Sequence, residues 1–156
     1  TRYPFCFFGG DANSGATQSI LPFVPFNQDL NRLMLVVRNL KSEKARVAWG
    51  AASKSFTRDE LAKGINLAAE FPDNPFCDAF KKVDAAVAAK QNFETGMIKI
   101  SFHNLAWIQN ALRDDPDSVA AVNAVRGKLL ARQDALAKAV RAAVVPIKHK
   151  ITVTAE

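Results

Sequence analysis

The chain has 156 residues, about half of them hydrophobic (49%), with 21 Lys and Arg against 15 Asp and Glu and a net charge of +6. That length suits one domain, or one modest domain with an arm, and the hydrophobic share excludes a chain that stays unfolded. The longest apolar runs, such as LMLVV and AAVV, fall far short of the roughly 20 residues that a membrane-spanning helix needs. The basic excess is scattered, with Lys81-Lys82 and KHK at 148–150 as its longest runs, so a solvated face explains it better than a nucleic-acid footprint.

The opening phrase TRYPFCFFGGDANSG has no apolar core of signal-peptide length and no small-residue cleavage pattern. Without an initiator Met, it reads as the start of a processed protein or of the back portion of a longer one. Residues 1–29 read as an extended arm. GGDANSGATQS is dense in turn formers, and it lies between RYPFCFF and LPFVPF, whose prolines oppose helix and whose rings need an apolar place to go.

Residues 30–156 read as a single α+β domain, mostly helical, with strands over about 30–56, helices over about 58–145 and a last strand at about 149–155. In LNRLMLVVRNL, Leu33, Leu35 and Val37 alternate with Met34, Val36 and Arg38, the period of an extended chain. The polar turn KSEK, then ARVAWG and SKSF, complete two or three short antiparallel strands with Trp49 and Phe56 as packing anchors. Thr57 with Glu60 three residues on forms a capping-box pattern that opens a short helix. Gly64 stops that helix.

Asn66 then sits between Ile65 and Leu67 in an apolar run, and Pro72, Asp73, Asn74 and Pro75 make a second break. Gly64, Asn66 and Asn74 read as a structural joint, the asparagine amides tying down turn backbone that would otherwise be buried unpaired. From Phe76 the apolar positions Phe80, Val83 and Val87 follow at helical spacing. This helix is expected to reach about Ile108 with an interruption near ETGM, since Gly96 is costly inside a helix. MIKISFHNLAWIQNAL, 97–112, is apolar enough to be largely buried. Asp117 or Ser118 is expected to cap a last long helix over 118–144, making a helical hairpin, and HKITVTAE alternates as a strand that returns to the earlier sheet.

Chemistry is scarce. Cys6 and Cys77 lie in PFCFF and PFCDAF, contexts that suit small buried thiols, and spacing alone cannot pair them. The two histidines, His103 in an apolar helical stretch and His149 between two lysines, have no Ser or Cys placed by a local nucleophile motif. GGDANSG lacks the Lys-Ser/Thr of a phosphate loop. RDDPDS lacks the alternating ligands, Gly and closing Glu of a calcium loop, so its acids read as helix caps. Thr1 as an N-terminal nucleophile lacks a following strand, because Pro4 comes almost at once. No metal site or cofactor motif is found.

PFVPFNQDLNRLMLVVRNL, ARVAWGAASKSFTRDELAKGINLAAEFPDNPFCDAFKKVDAAVAAKQNFET and VVPIKHKITVTAE together resemble the region that follows the catalytic core in bacterial SGNH/GDSL-type hydrolases. The likeness runs from Tyr3 to the end. In that family a Ser in a Gly-Asp-Ser block and a His in an Asp-x-x-His block carry out acyl-ester chemistry. Neither block occurs in this chain: Gly10-Asp11 is followed by Ala12, and Ile100 and Pro146 stand three residues before the histidines. The resemblance therefore implies an accessory C-terminal portion of an exported esterase, with a catalytic core segment or chain as partner. It makes Tyr3, Phe5, Phe7, Phe8, Phe23 and Phe26 the docking surface for that partner. The alternative is a non-catalytic module for carbohydrate or a protein, with Trp49 and Trp107 as stacking platforms.

Overall fold

In KARVAW, residues 44–49, every second side chain is apolar, and the structure buries Ala45, Val47 and Trp49 while Lys44 and Arg46 face solvent. The structure is a computed structural model and describes residues 3–7 and 16–156; the readings placed on Thr1, Phe8 and the turn cluster at 9–15 lie outside the described residues. Strand β2 (Lys44–Trp49) pairs antiparallel with β3 (Ala52–Thr57), from Lys44 opposite Thr57 to Trp49 opposite Ala52. That register leaves a two-residue turn in which Gly50 takes φ +65°, the left-handed value such hairpins require. On its other edge β2 pairs antiparallel with the final strand (Ile151–Ala155), Trp49 opposite Ile151. The last strand thus returns to the earlier sheet.

A second, two-stranded sheet joins β1 (Met34–Leu35) to β4 (Ile65–Asn66), with Met34 opposite Asn66. Leu33, Leu35 and Val37 pack on the core and Met34 and Val36 are exposed, so the alternation holds beyond the two paired residues. Ile65–Asn66 forms strand β4 inside the span 58–145 that is expected to hold helices. Between them lies helix α2 (Arg58–Lys63), capped by the reciprocal Thr57–Glu60 box and ended at Gly64 with φ 101°. Helix α3 (Leu67–Glu70) follows at once, capped by the Asn66 side chain. The arm is less irregular than its prolines suggest, with a 3-10 turn at Thr17–Ile20 and helix α1 (Phe26–Asp29) starting directly after Pro25. A proline before the first turn removes only an N–H that the helix leaves unpaired anyway.

The long helices begin with α4 (Cys77–Gly96). It ends at Gly96, inside the ETGM stretch where an interruption is expected, and the chain passes there into a π-helical segment (Met97–Phe102) and then α5 (His103–Ala111). Helix α6 spans Pro116–Ala143, and its cap is Asp115, with Pro116 in the first turn, two residues before the expected start. Asp115 accepts from the Asp117 N–H and the Ser118 hydroxyl, so the acids of RDDPDS serve that helix end. The 97–112 stretch is not the buried element its composition implies: Ile98, Ile100 and Trp107 are exposed, and Trp107 keeps 72% of its surface.

The chain groups by its internal packing. It forms two compact units, Thr1–Phe80 with Pro146–Glu156, and Lys81–Val145. The first holds the α+β core, in which Trp49, Phe71, Leu61, Leu67 and Val47 are fully buried. The second is the helical hairpin, stitched by Gln133 donating to Glu94 (2.7 Å) and Arg126 donating to Gln109 (2.5 Å).

Candidate functional site

The polar groups of the first unit gather at three buried or half-buried side chains, Asn31, Asn66 and Asn74, and at the exposed His149, and each is committed to the fold. Asn66 has the densest set. Its Oδ1 accepts from the Leu33 N–H (3.0 Å) and the Ala68 N–H (3.3 Å), and its Nδ2 donates to the carbonyls of Asn27 (2.8 Å) and Asn31 (2.9 Å). One amide thus closes the end of the β1–β4 ladder, caps α3 and holds the end of α1. Its two N–H groups and both acceptor positions are used, so nothing remains to bind a ligand.

Beside it an open cleft of about 310 Å³ is lined by Asn27, Gln28, Arg32, Met34, Gly64, Asn66 and Ala69. Gly64 lies at its wall, where an added Cβ would meet Val36 Cγ2 at 3.1 Å and Met34 Cε at 3.3 Å. The lining has hydrogen-bonding groups and one cation, but no carboxylate, histidine, serine or cysteine. Proton transfer or nucleophilic attack therefore has no agent there.

Asn74 works in the second break. Its Oδ1 accepts from the Phe76 N–H (3.0 Å), and its Nδ2 donates to the Phe71 carbonyl (3.0 Å). Asn31 was missed by the sequence reading although it is only 3% exposed. It pairs with the arm as a strand would: its Oδ1 accepts from the Phe5 N–H (2.8 Å) and its Nδ2 donates to the Phe5 carbonyl (3.1 Å). Its polar surroundings in NQDLNRL give no such signal as Asn66 has between Ile65 and Leu67.

The arm's rings are engaged inside this unit. Tyr3 packs on Phe76 at 5.4 Å between centroids, while Phe5 packs on Phe7, Phe26 and Phe80. Phe23 stands apart at 84% exposed. Of the described docking residues it is the one left open to a partner.

Trp49 loses its whole surface to the core, which removes it as a stacking platform. Its indole N–H donates to His149 Nδ1 at 3.1 Å. A second open cleft of about 330 Å³, lined by Ala48, Gly50, Pro75, Lys148, His149, Lys150 and Thr152, lies on that side. In a hydrolytic triad the histidine Nδ1–H donates to a carboxylate, which orients the ring as a base. Here Nδ1 is the acceptor and an indole is the partner. His103 sits exposed at the start of α5.

Both cysteines are free and buried. Burial, above all, pushes the Cys6 thiol up to about 12, and its neighbour Cys77 adds to the effect. A thiol so held has almost no thiolate near neutral pH and is a poor nucleophile. Among the described residues no three His, Cys, Asp or Glu side chains come together to hold a metal ion, and no helix is long and apolar enough to cross a membrane.

No protein-family model matches the chain, and no curated protein does. The solved structure of BT4096, a gut microbial diltiazem-metabolizing enzyme, matches 98% of this chain with a TM-score of 0.58 at 19% identity. This chain spans 41% of that enzyme's chain. At such identity the likeness is one of fold.

Proposed function

We propose that this chain is the accessory C-terminal portion of an SGNH/GDSL-like ester hydrolase and supports a catalytic core carried by another segment or chain. The observation that carries the reading is the orientation of His149. The histidine packed at the edge of the core accepts a hydrogen bond at Nδ1 from the Trp49 indole N–H, so that nitrogen has an indole where a hydrolytic base has its carboxylate partner. The resemblance of the sequence to the region behind such catalytic cores supports the same reading. So does a fold shared with 41% of a larger enzyme.

Two measurements test this. The purified chain, offered p-nitrophenyl acetate, is expected to show only the buffer rate of hydrolysis. The coding frame upstream of Thr1 is expected to encode a Gly-Asp-Ser block and an Asp-x-x-His block. Turnover that stays with the chain through purification overturns the proposal, and so does the absence of both blocks from the upstream frame and from every chain that co-purifies with this one.

A second reading, a non-catalytic binding module, draws on Trp107, whose indole is 72% exposed on α5. Isothermal titration with soluble oligosaccharides distinguishes it. Saturable heat lost in Trp107→Ala supports the module, and no heat disposes of its carbohydrate form.

A further inference from the structure

Cys6 and Cys77 stand 71 positions apart in sequence, yet the fold brings both thiols against one residue, Asn74. Asn74 spans both: its Nδ2 is 3.9 Å from Cys6 Sγ, and its backbone N–H donates to Cys77 Sγ at 3.4 Å. Cys6 is 2% exposed and Cys77 8%. Each thiol also reaches a proline carbonyl, Cys6 that of Pro4 at 3.7 Å and Cys77 that of Pro72 at 3.4 Å. Thiols are weak donors, so giving up those two contacts costs little. Both sulfurs are positioned by the backbone around them, Cys6 in the 3–7 stretch that Asn31 grips and Cys77 at the first turn of α4.

We propose that Cys6 and Cys77 are a redox couple that closes as a disulfide when the protein meets a small-molecule disulfide oxidant, tying the 3–7 stretch to the start of α4. Cys77, the more exposed of the two, attacks one sulfur of the oxidant as its thiolate. The oxidant's S–S bond breaks, and one reduced thiol leaves. The thiolate of Cys6 then attacks Cys77 Sγ in the mixed disulfide, and the second small thiol leaves. The protein dithiol loses two electrons, and its two protons end on the two thiols released. The high proton affinity of Cys6 makes this second step slow near neutral pH and faster as pH rises. A clip closing so long a loop constrains the unfolded chain strongly.

The test refolds the full chain in oxidised and reduced glutathione, quenches with acid, and alkylates with N-ethylmaleimide in denaturant. Intact mass is expected to show a species lighter by two hydrogens with no maleimide added. A non-reducing digest is expected to link the Cys6 and Cys77 peptides. The oxidised chain is expected to melt several degrees above the reduced one, a difference that Cys6→Ser and Cys77→Ser each abolish. Two maleimides on every molecule after oxidation, or glutathione adducts that never resolve, overturn the proposal. The mass readout on the unsubstituted chain decides the matter even if a serine variant fails to fold.

Discussion

Trp49 donates its indole N–H to His149 Nδ1 at 3.1 Å across 100 positions of sequence, and the same imidazole packs on Phe76 with centroids 4.9 Å apart. The bond requires Nδ1 to carry no proton, and it places the partner of the largest buried side chain on the segment leading into the last strand. His149 is therefore a closure of the core, holding the chain end to β2 together with the Arg46–Glu156 pair at 2.7 Å.

From this follows the first prediction. His149→Ala leaves a buried indole N–H without an acceptor and is expected to cost about 1–3 kcal/mol, read as a lower midpoint in urea. His149→Gln offers a carbonyl oxygen in its place and is expected to recover part of the loss. Equal stability of the alanine variant and the parent chain would show that the bond contributes nothing.

Gly64 gives the second. Its φ of 101° lies where side chains are strained, and a Cβ there meets Val36 and Met34. Gly64→Ala is expected to destabilise by about 1–3 kcal/mol, with the larger end set by how far Met34 Cε yields. A companion change, Gly127→Ala in α6, meets nothing within 4 Å. There alanine is expected to stabilise by up to about 1 kcal/mol, since glycine is the poorer helix former. Thermal melts of the two variants moving in the same direction would contradict the contrast.

Where local chemistry decides structure, the sequence was readable. The Thr57–Glu60 box, the stop at Gly64 and the alternation of 44–49 and of the last strand all depend on neighbours a few residues away or on strict period. Pairings between distant segments were not readable in this way. Nothing in RYPFCFF states that Asn31 will take the Phe5 backbone as a partner, or that Cys6 will meet Asn74. The exposure of Trp107 was missed for a related reason: 97–112 has the composition of a buried helix, but the π-helical turn at Met97–Phe102 breaks the 3.6-residue period that would gather its apolar side chains into one stripe. The candidate site was half legible: Asn66 stands alone in an apolar run and Asn74 lies in a proline-flanked break, whereas Asn31 in NQDLNRL has polar neighbours that hide its role.

Acid sensitivity is the third prediction. The Thr57 backbone N–H, then its hydroxyl, hold Glu60 below the usual carboxylate range. Lys90 and then Gln133 do so for Glu94, and Ser118 does so for Asp115. Ser55 and then Arg46 do so for Glu156. A carboxylate whose folded pKa is depressed contributes stability that is fully present above its unfolded value of about 4 and is lost as pH falls through the folded one. Melting temperature is therefore expected to be flat near neutral pH and to fall as the medium becomes more acid than about pH 4. Glu60→Gln removes one of these groups and is expected to make that fall shallower. An unaltered acid limb in the variant would exclude Glu60 as a contributor.

Asn66 supports the last prediction, because its amide is the point where three elements are joined. Asn66→Ala removes both acceptors and donors at once, leaving the Leu33 and Ala68 N–H groups and the Asn27 and Asn31 carbonyls to find water or go unpaired. The part-buried setting puts the cost at about 1–3 kcal/mol. Asn66→Asp is the more informative change, since it keeps the shape and both N–H contacts but points a carboxylate oxygen at two carbonyl oxygens. Repulsion there is expected to make it at least as destabilising as alanine at neutral pH, although aspartate is as good a helix cap as asparagine. If the amide served only to cap α3, aspartate would match the parent chain. Urea midpoints for the two variants separate the cases: a tolerated aspartate confines Asn66 to capping, and a damaging one assigns the weight to its grip on Asn27 and Asn31.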